Sequence, residues 1–357
     1  MRDGRIGKVL EIMGSNALDA CVIRGMDNIY YLTGFRGSEG TLFVTGGDVT
    51  LITDFRYITH ANEVAKGVKI VEQRGKQNVV SELCDKYGVK RMGFDSFHTF
   101  YQMYRRWEET IQNTELVPLE NEIEEIRKCK EPEEIEAIGK AIDISTNAFI
   151  EIFERIRPGK TEKEIACDLE FTMRNMGADS PSFDTIVASG PRAALPHAVP
   201  TDRKIKAGEA IIMDFGAQVN GYCSDETCTI AVGEVNGKIK EIHKVVKDAK
   251  DLAIEKIKAG MSVKDLDMIV RGFIDEAGYG EFFRHGVGHG VGIAVHEAPA
   301  IISTGEGVFE EDMVITIEPG VYLPNLGGVR LEDMVLITDK GAKVLTRLRK
   351  ELLNISV

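Results

Sequence analysis

Two stretches of the chain repeat each other. "GKTEKEIACDLEFTMRNMG" runs from Gly159 to Gly177, and "GMSVKDLDMIVRGFIDEAG" runs from Gly260 to Gly278. Each opens on glycine, places a hydroxyl two residues on (Thr161, Ser262), follows it with lysine and an acid, and closes on glycine. Thr161 with Glu164 has the form of a capping box, and Ser262 with Asp265 is a weaker version. The closing glycines suit the position just past a helix C-terminus. Downstream of the first helix comes "HAVP" (His197–Pro200), and downstream of the second "HEAP" (His296–Pro299). After each lies an apolar, strand-like run that ends in an acid: "AIIMDFG" with Asp214 and "MVITIEPG" with Glu318. This repeat restricts the fold to two related halves, each a helix, a histidine loop and a carboxylate strand, with a site between them.

The rest of the chain reads as a different unit. Runs such as "LDACVI", "TLFVT" and "VTLIT" alternate with helical stretches around 56–66, 78–87 and 99–111, the pattern of a small α/β domain. A polar, charged stretch, "PLENEIEEIRKCKEPEEIEAIGK", follows. The domain boundary is placed near residue 120, giving an N-terminal α/β domain over 1–120 and a larger domain over 121–357. Pro132 stands at a helix start, and Ile135, Ile138, Ile142, Phe149, Ile152 and Ile156 recur at helical spacing.

A net charge of −13 argues against a nucleic-acid partner and leaves room for cations. No apolar run approaches about 18 residues, so no membrane partner is expected. The opening residues read as an amphipathic helix rather than a secretion signal. The six cysteines are scattered without a C-x-x-C pair, which suits a reducing compartment; a cytoplasmic location is the expectation.

The acids carry the chemistry. In "AIIMDFGAQVNGYCSDETCTIAVG", Asn220-Gly221 between two β-like runs is a strong hairpin signal. With those residues as the turn, Val219 pairs with Tyr222 and Asp225 opposes Gly216. Asp214 then shares a face with Asp225, the two being diagonal neighbours roughly 7–8 Å apart. Two carboxylates on one side of an apolar hairpin repel, and burying them uncompensated costs several kcal/mol. Either that face is solvated or cations sit there, and a strand as apolar as "AIIMDFGA" favours cations. Glu318 ends a second apolar run, and Glu332 sits in the next strand, with Arg330 on the same face. Asp214, Asp225, Glu318, Glu332 and one histidine neutralise two divalent ions. The oxygen-rich set suits manganese first, with cobalt or zinc as alternatives. No H-E-x-x-H motif is present.

Four motifs in order, "DFGAQVNGYCSDETCTIAVG", "HGVGHGVGIAVHEAP", "TIEPGVY" and "VRLEDM", resemble the pita-bread metallopeptidases. "IVASGPRAALPHAVP", "YYLTGFRGSEGTLFVT" and "TDFRY" look like the prolyl branch, the Xaa-Pro dipeptidases (prolidases) and Xaa-Pro aminopeptidases. Methionine aminopeptidases usually lack such an N-terminal domain, and creatinase lacks the full ligand set. The fold the resemblance implies is α+β: a pita-bread catalytic domain with an internal pseudo-two-fold repeat, preceded by a smaller creatinase-like α/β domain.

Carried over, the resemblance makes Asp214, Asp225, His289, Glu318 and Glu332 the metal ligands. It makes His197 and His296 the catalytic histidines, and places His285, Tyr322 and Arg330 beside the substrate. Cys228 departs from the pattern, since relatives often carry arginine there. The activity implied is hydrolysis of X–Pro bonds in small peptides through a metal-bridging hydroxide, with Glu318 shuttling the proton. Dipeptidase and longer-peptide aminopeptidase both remain open at this point. A homodimer is expected, with the N-terminal domain helping to set peptide length. The rival reading from another class is a non-catalytic binding module on the same fold; intact ligands weigh against it.

Overall fold

The computed structural model describes residues 2–75 and 78–356. The chain divides into two compact units, Met1–Arg127 and Lys128–Val357.

In the first unit, six strands among the described residues form a sheet: β1 (Ala20–Ile23), β2 (Thr41–Thr45), β3 (Val49–Thr53), β4 (Lys69–Glu72), β5 (Arg91–Asp95) and β6 (Glu115–Leu119), in the order β4-β3-β2-β1-β5-β6. Only β2 runs antiparallel to its neighbours. Helices α1 (Arg2–Ser15), α2 (Met26–Thr33), α3 (Ile58–Val64), α4 (Val79–Tyr87) and α5 (Tyr101–Thr110) accompany the strands; α1, α3, α4 and α5 fall close to the stretches that read as helical in the sequence, and α2 is one that the sequence did not mark. A short helix, α6 (Glu122–Glu125), ends the unit. Its Ile123 is buried, and Asn28 Nδ2 donates to Glu124 Oε1 at 2.8 Å, so the unit extends beyond residue 120.

The second unit opens with α7 (Pro132–Phe153), with Pro132 in its first turn, where the missing N–H is no loss. The first half continues with α8 (Glu162–Asn175), β7 (Ser180–Pro181), β8 (Ile186–Ser189), a 3₁₀ turn (Gly190–Ala194), β9 (Ala210–Phe215), β10 (Ala217–Val219), β11 (Tyr222–Cys223) and β12 (Glu226–Val232). The second half has α9 (Gly237–Lys256), α10 (Val263–Glu276), β13 (Gly288–Gly290), β14 (Glu297–Ile301), β15 (Val314–Ile317), β16 (Gly320–Leu323), β17 (Gly327–Arg330), β18 (Asp333–Thr338), β19 (Gly341–Val344) and β20 (Leu353–Ile355). One sheet has the order β20-β12-β9-β8 and another β14-β13-β15-β18-β19.

The repeat is visible in the backbone. Gly159 and Gly260 both have positive φ (94° and 83°), and their N–H groups donate to Ile205 O and Phe309 O at 2.9 and 2.8 Å. Each half has its own core. Phe149, Ile165, Leu169, Ile211 and Ile230 pack behind α7 and α8, while Val246, Leu266, Val270, Ile315 and Val335 pack behind α9 and α10. The capping box at Thr161 and Glu164 is formed in both directions. Ser262 caps α10 without a side-chain hydrogen bond, a departure from the expected weak box.

Candidate active site

The hairpin register follows the turn. Asn220 and Gly221 both have positive φ (48° and 81°), as a type I′ turn requires. Val219 pairs with Tyr222, and Thr227 with Asp214. Asp225 precedes β12 and is buried; Asp214 lies in β9 with its side chain 13% exposed.

Glu318 directly follows β15. Glu332 corrects the sequence reading: it does not sit within a strand. The chain leaves β17, which pairs with β16, and enters β18, which pairs with β15; Leu331 and Glu332 are the break. The free backbone there bonds to the other half of the repeat. Glu332 N donates to Thr227 O at 3.1 Å, and Arg330 N donates to Thr229 Oγ1 at 3.2 Å. That crossing brings Glu332 to Asp225.

His289 completes the group from the middle of β13. The glycines beside it are there for lack of room: a Cβ on Gly288 would fall 2.0 Å from Thr316 O, and one on Gly290 would fall 2.1 Å from Ala298 O. The His289 Nδ1–H donates to Gly290 O at 3.0 Å, since a carbonyl only accepts. This leaves Nε2 with its lone pair 3.6 Å from Asp225 Oδ2 and 3.5 Å from Glu318 Oε1. Asp225, His289 and Glu332 offer ligand atoms all within 4.8 Å of one another.

The electrostatics describe a site built for cations. Burial, reinforced by the charges of Glu332, Asp214 and Glu318, pushes Asp225 well above the usual carboxylate range. Burial and the charges of Glu318 and Asp214 do the same to Glu332, and burial raises Glu318 to about 8. Burial lowers His289 to about 4, keeping its ring neutral. Asp214 Oδ1 and Glu332 Oε1 are buried without any hydrogen-bond donor. Crowded acids with unpaired oxygens beside a neutral imidazole form a donor set that divalent ions complete.

The rest of the site surrounds these ligands. Arg330 is buried and donates through Nη2 to Asp214 Oδ2 (2.6 Å) and through Nη1 to Tyr322 Oη and Pro196 O (2.9 Å each). The Tyr322 hydroxyl in turn donates to His285 Nε2 at 2.9 Å, because Nδ1–H of that ring is given to Gly286 O at 2.8 Å. Burial lowers His285 to about 4 and raises Tyr322 to about 12. His296 stacks edge-on against His289, centroids 4.4 Å apart.

One cavity of about 450 Å³ is lined by His197, His285, His289, His296, Asp214, Asp225, Glu318, Glu332 and Arg330, with Phe183, Ile186, Pro196, Val199 and Ile302 as apolar walls. Tyr322 is buried, with its hydroxyl between Arg330 Nη1 and His285 Nε2, and it is not among the residues that line the cavity. Cys228 is buried on β12, paired with Met213 and away from the cavity lining.

Sequence reasoning missed the supports of this site. Lys130 Nζ, without solvent exposure, pairs with Glu297 Oε2 at 3.2 Å, while Ala294 N donates to Glu297 Oε1 at 3.1 Å, beside His296. Behind the ligand strands, Lys350 Nζ meets Glu226 Oε1 at 2.6 Å and Lys250 Nζ meets Asp333 Oδ2 at 2.5 Å. Glu226 and Asp333 each adjoin a cavity acid, and alternation turns them to the far side. The doublets Asp225-Glu226 and Glu332-Asp333 were the only local signal.

Crowded buried acids, a neutral imidazole that could hold a metal with them and two exposed histidines over one cavity are the features of a metal-dependent hydrolase centre. Residues 136–339 match the model of metallopeptidase family M24, and residues 5–129 match the creatinase/prolidase N-terminal domain. The Xaa-Pro dipeptidase of Pyrococcus furiosus is 41% identical over 350 residues, spanning 98% of this chain and 99% of that protein. The solved structure of the Xaa-Pro dipeptidase from Bacillus anthracis superposes with a TM-score of 0.95 at 37% identity, over 99% of this chain and 100% of that one. That of the X-Pro aminopeptidase from Thermotoga maritima superposes with a TM-score of 0.88 at 36% identity, over 95% and 98%. The chain belongs to metallopeptidase family M24, with the pita-bread catalytic fold behind a creatinase-type N-terminal domain.

Proposed function

We propose that the protein is an exopeptidase that cleaves the bond before proline in short peptides, as an Xaa-Pro dipeptidase. The observation that carries this is one cavity lined by Asp214, Asp225, His289, Glu318 and Glu332, three of which, Asp225, His289 and Glu332, bring ligand atoms within 4.8 Å of one another, with Phe183, Ile186, Pro196, Val199 and Ile302 as its apolar walls. The similarity to Xaa-Pro dipeptidases along nearly the whole chain supports the substrate class. Two divalent ions held by those five residues, manganese foremost, would supply a hydroxide nucleophile at neutral pH and polarise the scissile carbonyl.

The chain's own groups supply the rest. His197 and His296, both exposed at the cavity, would donate hydrogen bonds to the oxygen on which negative charge develops. Glu318, a carboxylate at the cavity beside where the ions would be held, would take the nucleophile's proton and pass it to the departing prolyl nitrogen. Arg330, fixed by Asp214 and Tyr322, holds His285 in place through the tyrosine hydroxyl at the prolyl side.

The X-Pro aminopeptidase among the similar structures keeps one alternative in view, acceptance of longer peptides. A homodimer fits the exposed Phe55, Phe97, Phe100 and Tyr101 of the N-terminal unit, large apolar side chains that a partner would cover. The six cysteines are scattered in the sequence without a C-x-x-C pair, which supports a reducing compartment. The deciding experiment is hydrolysis of Ala-Pro against Ala-Pro-Ala with Mn²⁺. Cleavage of Ala-Pro alone supports the dipeptidase, cleavage of both the aminopeptidase, and cleavage of neither refutes the proposal.

A further inference from the structure

His197 is the site histidine whose ring is held least. It is exposed, it makes no hydrogen bond among the described residues, and it follows the 3₁₀ turn on irregular backbone. Its backbone, by contrast, is fastened on both sides. Arg330 Nη1 donates to Pro196 O at 2.9 Å. Arg192 Nη2 donates to Val199 O at 2.6 Å. Thr201 donates from N (3.0 Å) and Oγ1 (2.7 Å) to Glu162 Oε2.

Glu162 is the centre of this arrangement. It is fully buried at the start of α8. Its Oε1 accepts from Ser189 N at 2.9 Å and Ser189 Oγ at 2.8 Å, and Arg192 Nε donates to Oε2 at 3.1 Å. One carboxylate thus ties Ser189, where the loop leaves β8, to Thr201, where it turns back toward β9. Burial opposes its ionisation, yet the donors outweigh burial and hold it below the usual glutamate range. A buried ion pair is a weak source of stability, since apolar residues often fill such a place as well or better. What this pair provides is a fixed path for the loop.

The other half of the repeat has the same device. Asp267, fully buried on α10, pairs with Arg271 at 2.9 and 2.7 Å, and Arg271 donates to Phe283 O and His285 O at 3.0 Å each. In both halves a buried acid on the repeated helix grips, with an arginine, the backbone that carries a cavity histidine.

We propose that Glu162 is a positioning residue: it holds the Ser189–Thr201 loop in the conformation that presents His197 to the cavity. The proposal rests on the peptidase reading above. The test is a double-mutant cycle on Ala-Pro hydrolysis with Mn²⁺, using Glu162→Gln, His197→Ala and the two combined. Glu162→Gln should lower kcat by about 10–100-fold, the effect of a misplaced group, with KM and bound metal unchanged. In the His197→Ala background the same change should cost under about 2-fold, because its effect passes through that ring. Thr201→Val, which leaves the Glu162–Arg192 pair intact, should lower kcat several-fold with the same dependence on His197, and it carries the test if Glu162→Gln does not fold. Full multiplication of the two losses, or wild-type kcat in Glu162→Gln, overturns the proposal. A readout independent of turnover is the ring resonance of His197, assigned by its loss in His197→Ala. It should shift and sharpen in Glu162→Gln as the loop loosens. An unchanged resonance overturns the positioning role, whereas absence of Ala-Pro cleavage by the wild type overturns the substrate reading instead.

Discussion

His243 should make the catalytic unit sensitive to acid well away from the metal site. It lies on α9, 5% exposed, and its Nε2 is buried without a hydrogen-bond partner. Burial, aided by the charge of Lys247, lowers it from 6.5 to about 4. The ring is therefore neutral when folded and protonates more readily when unfolded. Its contribution to stability is complete above about pH 6.5 and is lost as pH falls from there toward 4. With these two values, linkage predicts a loss of about 2 kcal/mol at about pH 5 and almost none at about pH 7.5. His243→Leu, close in volume and a good helix former, removes the titration. It also removes the unpaired nitrogen, a change independent of pH. Urea denaturation of both proteins at the two pH values, in chelator so that metal release does not contribute, measures the effect. Far-UV circular dichroism is the signal to follow, because the single tryptophan, Trp107, reports only the first unit. The stability difference between variant and wild type should change by about 2 kcal/mol between the two conditions, in favour of the variant at low pH. A difference that stays constant to within about 0.5 kcal/mol would refute the assignment of a buried, neutral ring.

Three further outcomes are expected. Lys350→Met leaves the fully buried Glu226 without its cation and should cost about 3–5 kcal/mol by denaturation; Glu226→Gln combined with it should recover much of that, and equal instability of single and double variants would contradict the clasp. In calorimetric titration with Mn²⁺, His289→Ala should bind at least about 100-fold more weakly while His197→Ala binds as wild type; the reverse pattern would exchange their roles. Mn²⁺ at about 100 times its Kd should add about 2.7 kcal/mol to the stability of the chelator-treated protein, read as a rise in Tm, and no rise would count against the acid cluster as a metal site.

What the sequence disclosed was local. The Asn220-Gly221 turn sets a register in which the faces of Asp214 and Asp225 follow by counting, and the structure keeps that register. The repeated helices announced themselves through glycines that need positive φ and through the Thr161 box. What it withheld depended on segments distant in the chain. The break at Leu331–Glu332 exists because two sheets compete for one segment, and no periodicity reports that. Glu162 with Thr201, Lys130 with Glu297 and Lys350 with Glu226 are pairings that only the folded backbone creates. Tyr322 is placed in the chain by its motif, while the bonds its hydroxyl makes to Arg330 and His285 come only from the folded backbone.

Every side chain lining the cavity falls between Lys128 and Val357. For inheritance this makes the chemistry a self-contained parcel. A lineage can rewrite, exchange or elaborate residues 1–127 by recombination without breaking up a set of ligands that must arrive together.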